Sequence, residues 1–436
     1  MKIAVSGTGY VGIAAAAILA ELGHSVICVD VDEKKIAAYN AGECPIFEPG
    51  LPELLQQYKH NLTFTTDYRG AYRDAEVIFI AVGTPERPDG SANLKYVMTV
   101  AEQIAENVER DCVVVVKSTV PLGTNDAVAE HISSRLKNKV RVEVVSNPEF
   151  LAQGTAIRDM REASRIVVGA ESEYGFSVMK TVYAKASSPI LCVGRRSAEM
   201  IKYASNDFLA LKLSYINEIA NLCEKFGADI EDVAKGMGLD PRIGAQFLRA
   251  GVGYGGSCFP KDTKALHWLA VVNGEELKTI KAAIDVNTVQ KLRLVKKAKQ
   301  YYDSFEDLTV AVLGLTFKPG TDDLRDAPSL DNIPVILDEG GKIKVWDPVG
   351  QENFRKKFPN LTYCGTIGEA LKDADICLIF TEWPEVKDLK PEAFLTMKTP
   401  IILDGRNCFS LDSMKRKRLI YNSIGRKTVG VLKFKG

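Results

Sequence analysis

The chain has 436 residues, with 56 Lys and Arg exactly offset by 56 Asp and Glu, and 46% of it is hydrophobic. That length exceeds what one core usually supports, so two or three domains are expected, and zero net charge removes any whole-chain argument for nucleic acid or an anionic membrane as partner. Nine cysteines, an odd number without C-x-x-C spacing, argue for reduced thiols rather than a disulfide framework or a zinc site, so no metal is expected.

The first residues, Met1 to Gly7, run straight into a strand pattern with no signal peptide ahead of it. The apolar stretch that follows is short and broken by Glu21 and Gly23, which argues against a membrane span, while the cysteine usage argues for a cytoplasmic protein. Strands are predicted at 2–6, 25–30, 76–82, 112–117 and 142–146, alternating with helical segments. This is the signature of an α/β fold, a parallel doubly wound sheet covered on both faces. Ile13–Leu22 reads as a helix ended by the cap Gly23.

Between the first strand and that helix lies Gly7-Thr8-Gly9-Tyr10-Val11-Gly12, and the second strand ends in Asp30. Glycines in this context permit a tight turn, backbone contact with a pyrophosphate and close helix packing, while the helix N-terminus attracts phosphate charge. Asp30 can accept from both hydroxyls of an adenosine ribose and would repel a 2′-phosphate, so NAD is favoured over NADP. FAD fits the fingerprint alone, though the rest of the chain argues against it.

From about residue 196 the pattern becomes helical. Met200, Ile201, Ala204, Phe208, Leu211, Tyr215, Ile219 and Leu222 recur at helical spacing and predict a helix of roughly 25 residues with an apolar stripe, suited to linking two domains and to burial against a second subunit. Further helices are predicted at 229–236, 241–249 and 261–301. Within this region Gly253-Tyr254-Gly255-Gly256-Ser257-Cys258-Phe259-Pro260-Lys261-Asp262 ends a glycine-rich turn on a cysteine and opens a helix. Unpaired N–H groups at a helix start and the Lys261 ammonium both favour a thiolate, so Cys258 reads as a nucleophile.

A second strand-helix block begins at Leu308 and echoes the first: Lys342–Val345 followed by Trp346-Asp347 matches Val26–Val29 followed by Asp30. It is read as a diverged internal duplication, with Gly314-Leu315-Thr316-Phe317-Lys318-Pro319-Gly320 in place of the glycine fingerprint and hence a ligand other than a dinucleotide. The basic run Lys415, Arg416, Lys417 and Arg418 is read as a solvated face. The expected organisation is an NAD-binding Rossmann domain over 1–195, a helical linker and dimerisation region over 196–302, and a Rossmann-like domain over 303–436.

With these residues in place the chain resembles the nucleotide-sugar 6-dehydrogenases, the UDP-glucose/GDP-mannose dehydrogenase family, over essentially its whole length. Besides the Cys258 segment, the resemblance rests on Val82-Gly83-Thr84-Pro85, Lys117-Ser118-Thr119-Val120-Pro121, Asn147-Pro148-Glu149-Phe150-Leu151, Glu199 to Asn206, and Phe317 to Arg325. It implies two Rossmann-like domains joined by a long helix that mediates a homodimer. It also implies a four-electron oxidation of a primary alcohol to a carboxylic acid with two NAD, through an aldehyde held covalently by the enzyme.

The same resemblance assigns roles. Lys202 and Asn206 lie four residues apart on one helix face and would stabilise oxyanion charge. Asp262 would relay the proton through water, Cys258 would form a thiohemiacetal and then a thioester, and Glu149, with Thr119 in a supporting water network, would activate the water that cleaves it. Phe150, Leu151, Ala152 and Gln153 would line the sugar and nucleotide pocket, and Glu149, Lys202 and Asn206 would also meet the substrate. Arg249, Gly251, Tyr254 and Gly255 would hold the nucleoside diphosphate, Arg242 would reach a neighbouring subunit's substrate, and Phe317, Lys318 and Arg406 would contribute from the C-terminal domain, which is implied to bind the UDP-sugar. For the cofactor, Lys35, Val82, Thr84, Thr119, Lys261 and Arg325 join Gly7, Gly9, Tyr10, Val11, Gly12 and Asp30.

Two positions depart from the family pattern. Gln153 stands where many members carry an acid, and Val252 where proline or phenylalanine is common. UDP-glucose is the substrate implied, with GDP-mannose or a UDP-N-acetylhexosamine as the sister choice. Two-electron β-hydroxyacid dehydrogenases share the Lys/Asn pair but lack the cysteine and the second Rossmann-like domain. A non-catalytic nucleotide-sugar sensor would have no need of Thr119, Glu149, Lys202, Asn206, Cys258 and Asp262 together.

Overall fold

The computed structural model describes residues 1–415 and 418–431, so Arg416 and Lys417 of the basic run lie outside the described residues. Contacts divide the chain into two units, Met1–Ser205 with Trp268–Asn273, and Asn206–His267 with Gly274–Gly436.

The first unit is built on eight strands: β1 (Lys2–Ser6), β2 (Ser25–Val29), β3 (Leu62–Thr65), β4 (Val77–Ile80), β5 (Cys112–Val116), β6 (Val142–Ser146), β7 (Ile166–Gly169) and β8 (Ile190–Val193). Their order is β3-β2-β1-β4-β5-β6-β7-β8, and every pairing is parallel except β6 with β7. Strands β4 and β5, Val-Ile-Phe-Ile and Cys-Val-Val-Val-Val, are buried along their whole length, as expected where helices cover both faces. The chain leaves β1 toward β2 on one side and β4 lies on the other, so a crevice opens beyond the carboxyl ends of β1 and β4.

The five strands read from sequence are present within a residue or two of their expected ends. β3, β7 and β8 were not anticipated. Each has only four residues, and the two flanking strands β3 and β8 keep partly exposed faces, leaving neither a long apolar run nor a clean alternation to read.

The second unit carries β9 (Thr309–Leu313), β10 (Lys342–Trp346), β11 (Thr362–Tyr363), β12 (Ile376–Ile379), β13 (Ile401–Asp404), β14 (Ile420–Ser423) and β15 (Val429–Gly430). Their order, β11-β10-β9-β12-β13-β14-β15, repeats that of the first six strands of the other sheet, so the internal echo in the sequence is a repeat of topology. Asp347 stands after β10 as Asp30 does after β2. Its carboxylate is occupied by Leu315 N at 2.7 Å, Gly350 N at 2.6 Å and Trp383 Nε1 at 3.0 Å. An acid so satisfied by its own chain has little capacity left for ribose hydroxyls.

The long helix runs Arg195–Phe226, 32 residues against the roughly 25 read from the apolar stripe. Two helical expectations fail. Residues 241–249 form turns, because Gly244 and Phe247 take φ of 70° and 62°, which no right-handed helix accommodates. The single helix expected over 261–301 is three, Phe259–Val272, Lys278–Lys291 and Arg293–Ala298, the first break falling at Asn273 and left-handed Gly274. Among the described residues no helix is long and apolar enough to cross a membrane, and no group of three or more His, Cys, Asp or Glu is placed to hold a metal. None of the nine cysteines forms a disulfide.

Candidate active site

In the first unit the fingerprint glycines divide their labour. Gly7 takes φ of 95° to turn the chain, and a Cβ on Gly12 would lie 1.9 Å from the Gly7 carbonyl oxygen, so these two are demanded by the turn and by helix packing. Gly9 has φ −73° and ψ −176°, open to any residue, and a Cβ there would meet no described atom within 4 Å. Nothing in the fold requires glycine at 9, and a bare backbone there leaves room for close approach of a ligand. Helix Tyr10–Glu21 begins at once, so Tyr10 and Val11 place their N–H groups at its start.

Asp30 is held toward this turn. Its Oδ2 accepts from Thr8 N at 2.8 Å and Thr8 Oγ1 at 2.7 Å, with the Lys35 ammonium at 3.5 Å, and Oδ1 accepts from Asp32 N at 3.0 Å. Burial alone would raise this carboxyl, but the two Thr8 bonds, the Asp32 N–H and Lys35 together hold it below the usual carboxylate range, so it is ionised. Beyond β4 and β5, Ser118 Oγ donates to Val82 O at 2.7 Å and Thr84 Oγ1 to Thr119 O at 2.8 Å. These bonds fasten Val82, Thr84 and Thr119 beside the fingerprint's strand ends. The first unit therefore fits NAD, which fingerprint and Asp30 would hold.

Three buried charges lie beyond β5 and β6. Lys202 Nζ pairs with Glu149 Oε1 at 3.0 Å, both side chains at most 5% exposed. Leu151 N donates to Glu149 Oε2 at 2.7 Å, which fixes the carboxylate's plane. Phe150 presents its ring to the Arg165 guanidinium at 4.0 Å and to Lys202 at 5.5 Å. The loop through Ala152 and Gln153 is tied down by Ala152 N on Asp159 and by Gly154 N and Ala156 N on buried Glu48 at 2.7 and 2.8 Å. The third charge, Lys117, was quoted in a motif but given no role by the sequence.

In the second unit Cys258 stands just before helix Phe259–Val272, and its carbonyl accepts from Asp262 N at 2.8 Å, which makes it the residue that starts the helix. Asp262 is 1% exposed. Its Oδ2 accepts from Asn206 Nδ2 at 2.7 Å, and its Oδ1 is ion-paired with Lys261. Lys261, expected at the cofactor, thus belongs first to Asp262. Asp207, beside Asn206, is a buried carboxyl that the sequence did not single out; neither oxygen has a hydrogen-bond partner among the described residues. Burial pushes it up to about 8, with repulsion from Asp262 adding to the shift and Lys261 opposing it.

The glycine turn before Cys258 is packed to contact. A Cβ on Gly255 would lie 2.3 Å from the Asp326 carbonyl oxygen, and one on Gly256 2.8 Å from the Phe317 ring. Three buried amides lock the approach: Asn217 Oδ1 accepts from Gly251 N at 2.8 Å, Gln290 Nε2 donates to Gly251 O at 2.7 Å, and Asn287 binds both Tyr254 N and Tyr254 O. Phe259 meets the Tyr254 ring edge-on at 5.8 Å. Burial pushes the Tyr254 phenol up to about 12, so it stays a neutral donor.

A cleft of about 460 Å³ in this unit is lined by Leu213, Phe247, Arg249, Lys318, Glu382 and Arg406, among others. Three cations against one carboxylate suit a diphosphate. Arg406 is not free to serve it fully: its guanidinium donates to Phe380 O, Gly253 O and Phe317 O at 2.8, 3.2 and 3.1 Å, so it also braces the turn. Arg249 donates to Arg406 O at 2.9 Å and lies 3.5 Å from Glu382. Arg242, expected to reach a neighbouring subunit's substrate, is 88% exposed and paired with Asp240, and Arg325, expected at the cofactor, clasps Asp323 while its carbonyl receives Gly256 N at 2.7 Å.

The chain matches known proteins over almost its whole length. Three domain models of the UDP-glucose/GDP-mannose dehydrogenase family match in order: the NAD binding domain over residues 1–187, the central domain over 196–289 and the UDP binding domain over 311–411. The chain is 46% identical to UDP-glucose 6-dehydrogenase YwqF of Bacillus subtilis (strain 168), covering 98% of each chain. It is 45% identical to UDP-glucose 6-dehydrogenase of Rhizobium meliloti (strain 1021), over 98% of this chain and all of that one. Its fold superposes on a UDP-glucose dehydrogenase from the hyperthermophilic archaeon Pyrobaculum islandicum with a TM-score of 0.91 at 36% identity, covering 96% of both.

Proposed function

Because the chain belongs to the UDP-glucose/GDP-mannose dehydrogenase family, we propose that it oxidises UDP-glucose to UDP-glucuronate in two NAD-dependent steps on one covalent nucleophile, Cys258. The observation that carries the reading is Cys258 at a helix start, with Asp262 of the same helix bonded to Asn206 and paired with Lys261. A single oxidation to an aldehyde needs no such thiol.

NAD, when bound, accepts a hydride at each oxidation. The protein's part in the first is to take the hydroxyl proton as the hydride leaves, through Asp262 and an intervening water, while Asn206 and Lys202 stabilise oxyanion charge. The Cys258 thiolate then adds to the aldehyde carbon, and protonation of the resulting oxygen gives the thiohemiacetal. Loss of the second hydride and that proton leaves a thioester. Water adds to its carbonyl, Glu149 takes the water's proton, the carbon–sulfur bond breaks and Cys258 departs as thiolate. The balance is one alcohol, two NAD⁺ and one water to one carboxylate, two NADH and three protons.

The long helix supports the expected homodimer: Phe208, Tyr215 and Leu222, spaced seven apart, are 60, 49 and 49% exposed, and Phe226 at its end is 82% exposed. A stripe this apolar on one helix face is suited to a second copy. Phe208→Glu with Leu222→Glu should convert a dimer into a monomer by light scattering; an unchanged mass removes this face from assembly.

The substrate is tested by supplying UDP-glucose, GDP-mannose and a UDP-N-acetylhexosamine in parallel with excess NAD and identifying the carboxylate formed. UDP-glucuronate from UDP-glucose alone supports the reading. Turnover of GDP-mannose in its place moves the chain to the sister specificity.

A further inference from the structure

Lys117 is a buried amine that the mechanism above leaves without a task. It follows β5 directly, and Asn147, which it contacts, follows the neighbouring parallel strand β6, so both stand at the carboxyl ends of strands where such sheets place ligands. Lys117 is 5% exposed, and its Nζ donates to Asn147 O and to Asn147 Oδ1, each at 3.2 Å. The Asn147 side chain is completed by Tyr183 Oη, which donates to Oδ1 at 2.6 Å, and by Val167 O, which accepts from Nδ2 at 2.7 Å.

Two acceptors satisfy a neutral amine; an ammonium carries three protons, and the third has no acceptor among the described residues. The carboxylate in reach of the cluster, Glu149, is already bonded to Lys202. Two buried amines thus share one carboxylate. The groups around Lys117 that can change charge are Glu149 on the loop after β6, Lys202 on the long helix, and the Tyr183 phenol, which burial holds protonated. Burial pushes the Lys117 ammonium down to about 8, Glu149 opposing the shift and Lys202 adding to it.

We propose that Lys117 is a positioning residue for thioester hydrolysis, acting through Glu149 by clamping Asn147, two residues ahead of it, and by switching the buried cluster between net positive and neutral. The proposal rests on the reading of Glu149 as the group that takes the proton of the attacking water. A net positive cluster favours the negative charge that builds on the water and carbonyl oxygens as the bond forms, and a neutral one does not. Hydrolysis therefore slows on the alkaline side as Lys117 loses its third proton, while the two hydride steps do not.

Two variants separate clamp from charge. Lys117→Gln keeps an N–H pair for Asn147 without a charge; Lys117→Met has neither. In stopped-flow with UDP-glucose and NAD, the wild-type burst of NADH is expected to be indifferent to Lys117, whereas steady-state turnover falls several-fold from pH 7 to 9.5, on the order of tenfold at most. Lys117→Gln should show a lower rate with that fall absent, and Lys117→Met should also accumulate the thioester on Cys258, seen by intact mass after acid quench. A wild-type pH profile in Lys117→Gln overturns the charge role, and no accumulation in Lys117→Met overturns the clamp.

A readout without substrate guards the result. The unfolded lysine holds its proton to its ordinary value of 10.5, while the folded one releases it near 8. The unfolded state therefore binds more protons between those values, and wild type should gain stability relative to Lys117→Gln as pH rises from 8 to 10. A constant gap overturns the proposal. Absence of any burst or adduct in wild type refutes the function of Cys258 and Glu149 instead, and the stability series still decides the charge of Lys117.

Discussion

Asp207→Asn is expected to stabilise the protein, and to do so by an amount that grows with pH. The Asp207 carboxyl is 2% exposed, has no hydrogen-bond partner among the described residues, faces Asp262, and is pushed from 3.8 up to about 8. Below pH 3.8 folded and unfolded states both keep the proton, so the group contributes nothing. Between that value and 8 the unfolded chain releases it and the folded one does not, so wild type loses stability as pH rises, at most about 1.4 kcal/mol per pH unit. From pH 5 to 8 the accumulated penalty is at most about 4 kcal/mol, and relaxation around a buried charge lowers it. Asn keeps the shape and cannot ionise. The assay is the urea midpoint of both proteins at half-unit pH intervals; midpoints are compared because a chain of two units need not unfold in one step. A gap that widens steadily from pH 5 to 8 supports the argument. A gap of constant size means that Asp207 ionises normally in the folded protein, and the reading of an enclosed, unpaired acid is wrong.

Gly9→Ala and Gly12→Ala should fail differently. The first has the space and the backbone angles to fold normally, yet should weaken NAD binding by about tenfold or more in calorimetry; undiminished affinity would remove Gly9 from the cofactor contact. The second would force a Cβ against the Gly7 carbonyl and should cost roughly 3 kcal/mol of stability, read as a lower unfolding midpoint. Glu149→Gln should leave the NADH burst intact and slow steady-state turnover by about a hundredfold, with a thioester trapped on Cys258; equal loss of both phases would place Glu149 in the hydride steps.

What the sequence disclosed and what it hid follow from the range of the interactions involved. The fingerprint, the turn before Cys258 and the strand cores are local: glycines spaced for a turn, or apolar residues spaced for a strand, carry their meaning within a few positions. The helix expected at 241–249 failed because Gly244 and Phe247 adopt left-handed backbone, which a helical pattern in the sequence does not report. Lys202 and Asn206 were legible as one helix face, but their partners, Glu149 and Asp262, are 53 and 56 residues away. Asp207 carried no signal, since an aspartate on a helix is ordinarily solvated and only the tertiary fold encloses it. Lys117 lay inside a motif, yet its partner Asn147 comes thirty residues later, just past the end of the adjacent strand. Arg406 was expected at the substrate through the family resemblance; that its donors are engaged by the carbonyls of Phe380, Gly253 and Phe317 is set by tertiary packing.

The central claim is that one thiol carries an alcohol through two oxidations, and NADH formed per UDP-glucose consumed tests it most directly. With limiting UDP-glucose and excess NAD, the account predicts two NADH and one UDP-glucuronate per substrate for the wild-type protein, and no carboxylate for Cys258→Ser with NAD binding retained. One NADH per substrate with release of the aldehyde, or undiminished carboxylate formation by Cys258→Ser, would contradict it.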